Sequence, residues 1–230
     1  MKNEKRVSLG AGVLTAPVPP VMVTVGDMEN SNIITIGWTG ILATKPPKTY
    51  ISVRPERYSY NILKERGEFV INLADKSLCK KVDFAGIYTG KKVDKFKVLG
   101  LTKTPSEKVA CPTIAECPVS IECRVSEIIP MGTHDVFVAD ILGVSCRADI
   151  VDEDGRADFS RAELLAYAHG EYYALGERLG KIGFSTDKPK KEENKSEPFY
   201  KSAPRGKSKS ASRRSTANKD RGKPKRRDKK

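Results

Sequence analysis

Asn32-Ile-Ile-Thr-Ile-Gly-Trp38-Thr-Gly-Ile-Leu-Ala-Thr-Lys-Pro-Pro47 decides how the chain is to be read. The half from Asn32 to Trp38 is β-branched and apolar, which predicts a strand. Trp38-Thr39-Gly40-Ile41 then predicts a loop in which Gly40 lets the main chain approach a ligand closely. Pro46-Pro47 holds the following connection stiff. Outward from this stretch, Val21 to Val25, Thr49 to Val53, Phe69 to Leu73, Val119 to Ile128 and Asp135 to Val144 are further Val-, Ile- and Thr-rich runs between turn signals. Each predicts a strand. Val119, Ile121, Cys123 and Val125 alternate with Ser120, Glu122, Arg124 and Ser126, the period of a strand with one buried face in an antiparallel sheet.

Helical signals are fewer. Ser59 predicts the cap of a helix running to Arg66 with Gly67 as its stop, and Asp75 or Ser77 opens another that ends near Gly86. Ser160-Arg-Ala-Glu163 has capping-box spacing before Leu164, Leu165 and Tyr167, with Gly170 as a stop, which predicts a short helix carrying Tyr167. The fold class is therefore mainly β with short helices as lids and connectors.

The formal charge of +13 suggests a polyanion binder until its distribution is counted. Residues 187 to 230 hold 18 Lys and Arg against 6 Asp and Glu, a net of +12, leaving 24 against 23 in residues 1 to 186, a net of +1. Hence residues 1 to 186 form one domain, and 187 to 230, poor in apolar residues, are expected to be a disordered basic tail. That tail can attract phosphate backbones weakly and without sequence preference, or serve as a solubilising appendage. Nothing nears the roughly 20 apolar residues of a membrane helix or forms a signal peptide, and five cysteines fit a reducing compartment, so a cytoplasmic protein is expected.

The quoted stretch, followed by Tyr50-Ile-Ser-Val-Arg54, Tyr58-Ser59, Glu68-Phe-Val-Ile-Asn-Leu73, Lys95-Phe96 and Gly132-Thr-His134, resembles the flavin reductase-like family of FMN-binding split barrels, its flavoredoxin-type branch above all. The likeness runs over most of residues 8 to 185. It implies an antiparallel, Greek-key split β-barrel that binds FMN, takes hydride from NAD(P)H and passes electrons to a free flavin or an electron-carrier protein. It also implies a homodimer with the flavin near the subunit interface. A non-enzymatic FMN electron-transfer protein is the alternative within that resemblance. A nucleic-acid-associated protein acting through the basic tail is the alternative from outside it.

Residue by residue, the chemistry agrees. A phosphate dianion suits a helix N-terminus, where N–H groups and the helix dipole favour an anion. Arg54, Arg57, Tyr58 and Ser59 stand where a strand gives way to a helix, and Arg54 can add a charge-assisted contact. An isoalloxazine ring wants a flat apolar wall and backbone polar groups along its edge. The resemblance puts Asn32, Trp38, Thr39, Gly40 and Ala43 along that ring and supports Lys95 as the residue of its basic loop that reaches the phosphate or the incoming dinucleotide, whereas Lys91 and Lys92 read as surface. Asn72 is a further cofactor candidate or satisfies nearby backbone. Tyr167 covers the ring or packs. His134 is the catalytic candidate; hydride transfer needs no general base, so its task is to position nicotinamide or tune the flavin.

Other apparent motifs fail on spacing. Gly10-Ala-Gly12 lacks the third glycine and the βαβ setting of a dinucleotide fingerprint. Cys111, Cys117 and Cys123 are six apart, not paired as zinc ligands, and no metal is expected. Asp152-Glu-Asp-Gly155 reads as a turn because a calcium loop in that register would begin at Ile150 and end at Arg161.

Overall fold

A computed structural model describes residues 6–186; the basic-tail expectation lies outside them. Fourteen elements follow in chain order. They are β1 (Val21–Gly26), β2 (Ser31–Ile36), β3 (Thr39–Thr44), β4 (Pro47–Val53), α1 (Tyr58–Arg66), β5 (Glu68–Leu73), α2 (Cys79–Ile87) and α3 (Lys95–Leu99), then β6 (Lys103–Thr104), β7 (Thr113–Ile114), β8 (Val119–Pro130), β9 (Asp135–Cys146), β10 (Leu165–Ala168) and β11 (Glu171–Ala174).

Seven strands form one sheet in the order β2-β1-β5-β8-β9-β4-β3, antiparallel at every pairing. The two edge strands, β2 and β3, are consecutive in the chain and joined only by Gly37-Trp38. A sheet whose two edges are two residues apart has to curl until they meet, so this one is a barrel split along a single seam. Each strand predicted from composition is present. β1 shows why the sheet is stable: Val21, Val23 and Val25 join the core inside the barrel with Ile51, Phe69 and Phe137, while Met22 belongs to a second core under α2 and α3 with Val82 and Phe96. Both its faces are buried, as its apolar run requires.

Four local expectations need correction. The segment after Trp38 is strand β3, paired with β4 and bulged between Ile41 and Ala43; Pro46 lies in the turn and Pro47 starts the next strand. β3 buries neither face, so it has no period for composition to reveal. Ser160–Tyr167 is not a helix. Asp158 takes the Ser160 amide and hydroxyl, and Leu165 and Tyr167 donate their amides to Ala74 and Val18, partners far away in sequence. Tyr167 therefore lies on β10, and His169-Gly170, both with positive φ (49° and 98°), make the two-residue turn into β11.

Helix α1 begins one residue before Ser59, with Arg57 at the cap position and no side-chain cap, although Gly67 closes it in the left-handed conformation as expected. Finally, β8 is not buried on one face only. Ser120 donates to Asn72 Oδ1 at 2.8 Å, and the Glu122 carboxylate takes the amides of Glu107 (3.2 Å) and Lys108 (2.6 Å), so both polar side chains are enclosed. The Asp152 segment is a turn, its carboxylate accepting from the Asp154 and Arg156 amides. Among the described residues no helix is long and apolar enough to cross a membrane.

Candidate functional site

Two clefts of opposite character lie beside edge strand β2 and the Gly37-Trp38 link that follows it. The first, of about 310 Å³, is cationic. Asn32 and Ile34 come from β2, Arg54 and Arg57 from the connection between β4 and α1, Ser59 from the first turn of α1, and Lys95 from the start of α3. Asn32 Nδ2 donates to Ser59 Oγ at 2.7 Å, tying the strand to the helix. Lys95 is buried, 4% exposed, and its Nζ donates to the carbonyls of Ile33 and Ala85, each at 2.6 Å, so it ties β2 to α2. Burial, reinforced by the charge of Arg57, lowers its pKa to about 8. Arg54 is paired with Glu56 at 2.7 Å, the one carboxylate lining this cleft. Gly90 presses against the strand: a Cβ there would sit 2.1 Å from Asn32 Oδ1.

The second cleft, of about 420 Å³, is lined by no Asp, Glu, Lys or Arg. Trp38 and Thr39 at the seam, Tyr50 on β4, Tyr167 on β10 and the His169-Gly170 turn enclose it, with Val13 to Ala16 of the N-terminal arm on one side. The Trp38 side chain is not core: the residue is 46% exposed, and its ring lies parallel to that of His134, 5° apart in plane and 6.4 Å between centroids. His134 stands in the turn between β8 and β9, with the Thr133 hydroxyl 3.0 Å from its Nδ1. Thr39 Oγ1 donates to the Tyr50 carbonyl at 2.6 Å, which holds the seam against β4.

The structure thus gathers Asn32, Arg54, Tyr58, Ser59 and Lys95 around one cleft and Trp38, Thr39 and Tyr167 around the other, with His134 stacked on Trp38. Gly40 and Ala43 line neither; they sit on the outer strand β3. Asn72 lies away from both clefts. It is wholly enclosed, donating to the Met22 carbonyl at 3.0 Å and accepting from the Ile114 amide and the Ser120 hydroxyl, so it satisfies nearby backbone. Gly90, at the cationic cleft, and Tyr50 and His169-Gly170, at the aromatic one, join the site only through the fold. Only the last left a local signal, a turn dipeptide between Tyr-containing runs.

Comparison with known proteins places these clefts in context. The model of the flavin reductase like domain matches residues 14–176. An uncharacterized protein of Archaeoglobus fulgidus is 33% identical over 149 residues, 65% of this chain and 83% of that one. The solved structure of flavoredoxin from Desulfovibrio vulgaris (Miyazaki F) superposes with a TM-score of 0.74 at 34% identity, over 79% of this chain and 100% of the other. An NADPH-flavin oxidoreductase of Streptomyces viridifaciens is 24% identical over 128 residues, 55% of this chain and 65% of that protein.

Proposed function

The chain belongs to the flavin reductase-like family, and from that premise we propose that it is an FMN-binding oxidoreductase, reduced by NADH or NADPH and oxidised by a free flavin or an electron-carrier protein. One observation carries the reading: the cationic cleft lies beside edge strand β2 and the uncharged aromatic cleft beside Gly37, the residue that follows that strand. Ile34 lines one and Gly37 the other, three residues or roughly 10 Å apart at strand rise. A ligand with an anionic tail and a planar apolar head matches that pairing.

The residues present fit FMN. Arg54, Arg57 and Lys95 offer three cations against the single Glu56, and the uncapped first turn of α1 adds its dipole, a combination suited to a phosphate dianion. Trp38, Tyr50 and Tyr167 supply aromatic walls for the ring. FMN, when bound, supplies a two-electron carrier able to accept hydride. Lys95 keeps β2 and α2 in place through its two carbonyl contacts, so it shapes the phosphate end as well as charging it. His134 braces Trp38 by stacking, which positions the wall against which a nicotinamide would lie. The family resemblance adds a homodimer. Ile41 and Leu42, 81% and 51% exposed on edge strand β3, which pairs only with β4, support an interface there.

The decisive experiment is the visible spectrum of the purified protein, before and after anaerobic NADH or NADPH. Yellow protein that bleaches rapidly is the expected result. Protein that is colourless and shows no quenching of Trp38 by added FMN overturns the reading. Bound FMN that no nicotinamide reduces would make the protein an electron carrier without reductase activity.

A further inference from the structure

The net charge of +1 over residues 1 to 186 hides a division. From Lys76 to Lys103 the chain holds eight lysines and two aspartates, with neither Arg nor Glu, a net of +6. The rest of residues 1 to 186, with 16 Lys and Arg against 21 Asp and Glu, is therefore at −5. The basic stretch is α2, α3 and the turn between them, packed over the core around Met22. Lys81 Nζ donates to the Gly100 carbonyl at 3.3 Å and Lys95 Nζ to that of Ala85, so the two helices lie side by side. Of the remaining lysines, Lys76 pairs with Glu163 and Lys103 donates to the Met28 carbonyl at 3.0 Å. Lys80, Lys91, Lys92 and Lys97 are exposed, and among the described residues none of the four is in an ion pair. Both aspartates are engaged elsewhere: Asp83 accepts from the Tyr172 hydroxyl at 3.3 Å, and Asp94 caps α3 through the Lys97 amide at 3.2 Å. Apolar side chains stand among these cations without cover. Lys80, Phe84 and Ile87 follow the spacing of one helix face, and Phe84 stacks on the exposed Tyr88 ring, 4.1 Å between centroids. Ile87 is 70% exposed, and Val98, next to Lys97 on α3, 59%.

We propose that the α2–α3 face docks an acidic electron-carrier protein, the oxidant in the reaction proposed above. The inference rests on that flavin reading. Exposed apolar side chains interspersed with unpaired charge have the anatomy of a protein interface, and a face of one sign fits a partner of the other. The position of the face says what the partner does. Ala85, Gly86, Tyr88, Thr89 and Gly90 of the same stretch line the cationic cleft that fits the FMN phosphate, so a protein covering the face sits beside the cofactor. NADH or NADPH gives up a hydride, equal to two electrons and a proton; two carrier molecules take one electron each, and the proton goes to solvent. A second copy of this chain does not suit the face, because a two-fold axis would set +6 against +6. A nucleic acid would leave Ile87 and Val98 without apolar cover, and the stretch has none of the arginines that grip a phosphate through two parallel N–H bonds.

The test is calorimetric titration of the full chain with an acidic flavodoxin, an acidic ferredoxin and, as the oppositely charged control, the basic carrier cytochrome c. Wild type is compared with the double variant Lys80→Glu, Lys97→Glu. The wild type is expected to bind at least one acidic carrier, with an affinity that falls as salt is raised, and not to bind cytochrome c. The variant should lose about tenfold or more of that affinity, the effect of setting like charges across an interface. Its FMN content and the bleaching of its flavin by NADH or NADPH should match the wild type, which also shows that it is folded. Failure of both acidic carriers to bind, cytochrome c binding as tightly as they do, or a variant that binds them like the wild type overturns the proposal. A variant that loses binding to a single-stranded RNA oligonucleotide and keeps the carriers assigns the face to nucleic acid and overturns it too. Wild-type protein without FMN fails the flavin reading itself, a result seen in the spectrum and not in the carrier titration.

Discussion

Asn32 on edge strand β2 donates its side-chain amide to the hydroxyl of Ser59 in the first turn of α1, 2.7 Å away, and both side chains are buried at the floor of the cationic cleft. The contact joins the two elements that an anionic ligand would bridge. Replacing Asn32 with Leu leaves the Ser59 hydroxyl without this partner, at a cost of about 1–3 kcal/mol for a buried polar group. Thermal unfolding of the FMN-free protein should show that loss, and equilibrium dialysis should show weaker FMN binding beyond it. Unaltered binding would mean that the pair is scaffold only.

Gly90 reports on the same floor from the other side. A methyl group there would fall 2.1 Å from Asn32 Oδ1, so Gly90→Ala must displace either the turn or the asparagine. FMN affinity should fall by about tenfold or more, as expected when a positioned polar contact is lost. Gly176→Ala, where a new methyl meets nothing within 4 Å, is the control and should bind FMN as the wild type does.

The two clefts can be separated by ligand. Trp38→Leu removes an exposed aromatic wall and should weaken riboflavin and FMN alike, by up to about tenfold given that aromatic pairs contribute about 0.5–1.5 kcal/mol. Because the side chain is half exposed, the melting temperature should barely move. Arg57→Ala should weaken FMN but leave riboflavin, which has no phosphate, unaffected. Parallel titrations monitored by flavin fluorescence distinguish the outcomes; a riboflavin loss in the arginine variant would contradict the assignment of that cleft to phosphate.

Lys95 should give stability and ligand affinity opposite pH dependences. Its pKa falls from the ordinary 10.5 to about 8 in the folded chain, so between those values the unfolded state binds more protons and stability from this group rises with pH. That contribution is fully present above about pH 10.5, the unfolded value, and is lost as pH falls through about 8. Affinity for a phosphate runs the other way, declining once the ammonium loses its charge at or above about pH 8. The comparison is wild type against Lys95→Met, in denaturant melts without flavin and in FMN titrations from neutral to alkaline pH. Parallel pH profiles for the two proteins would show that Lys95 does not carry the effect.

Away from the clefts, Glu122 holds the loop over the outer face of β8 and β5 by accepting two backbone amides. Glu122→Leu should destabilise the protein by about 1.5–3 kcal/mol, the range for hydrogen bonds to a charged group, without altering the FMN affinity of the folded fraction. Urea unfolding, with the slope compared between variants, measures it.

What the sequence determined by itself was every element that announces its burial or its turn locally. Val21 to Val25, Phe69 to Leu73 and the two long strands β8 and β9 are legible because β-branched and apolar runs have few other stable destinations. The connection from Arg54 to Ser59 was legible as a strand-to-helix junction, and the helix stop at Gly67 as a left-handed glycine. Tertiary structure alone decided the rest. β3 buries neither face, so no periodicity marks it, and it is a strand because β4 pairs with it. The segment around Tyr167 follows its backbone partners at Val18 and Ala74, more than ninety residues away, against a helical local signal. Asn72 was ambiguous until the fold surrounded it with Met22, Ile114 and Ser120. Periodicity reports which face of an element is buried; it does not report which distant groups will meet it there. The seam at Gly37-Trp38, with a cationic cleft beside β2 and an aromatic cleft beside the link that follows it, exists only once the sheet has curled far enough for its first and last strands to meet.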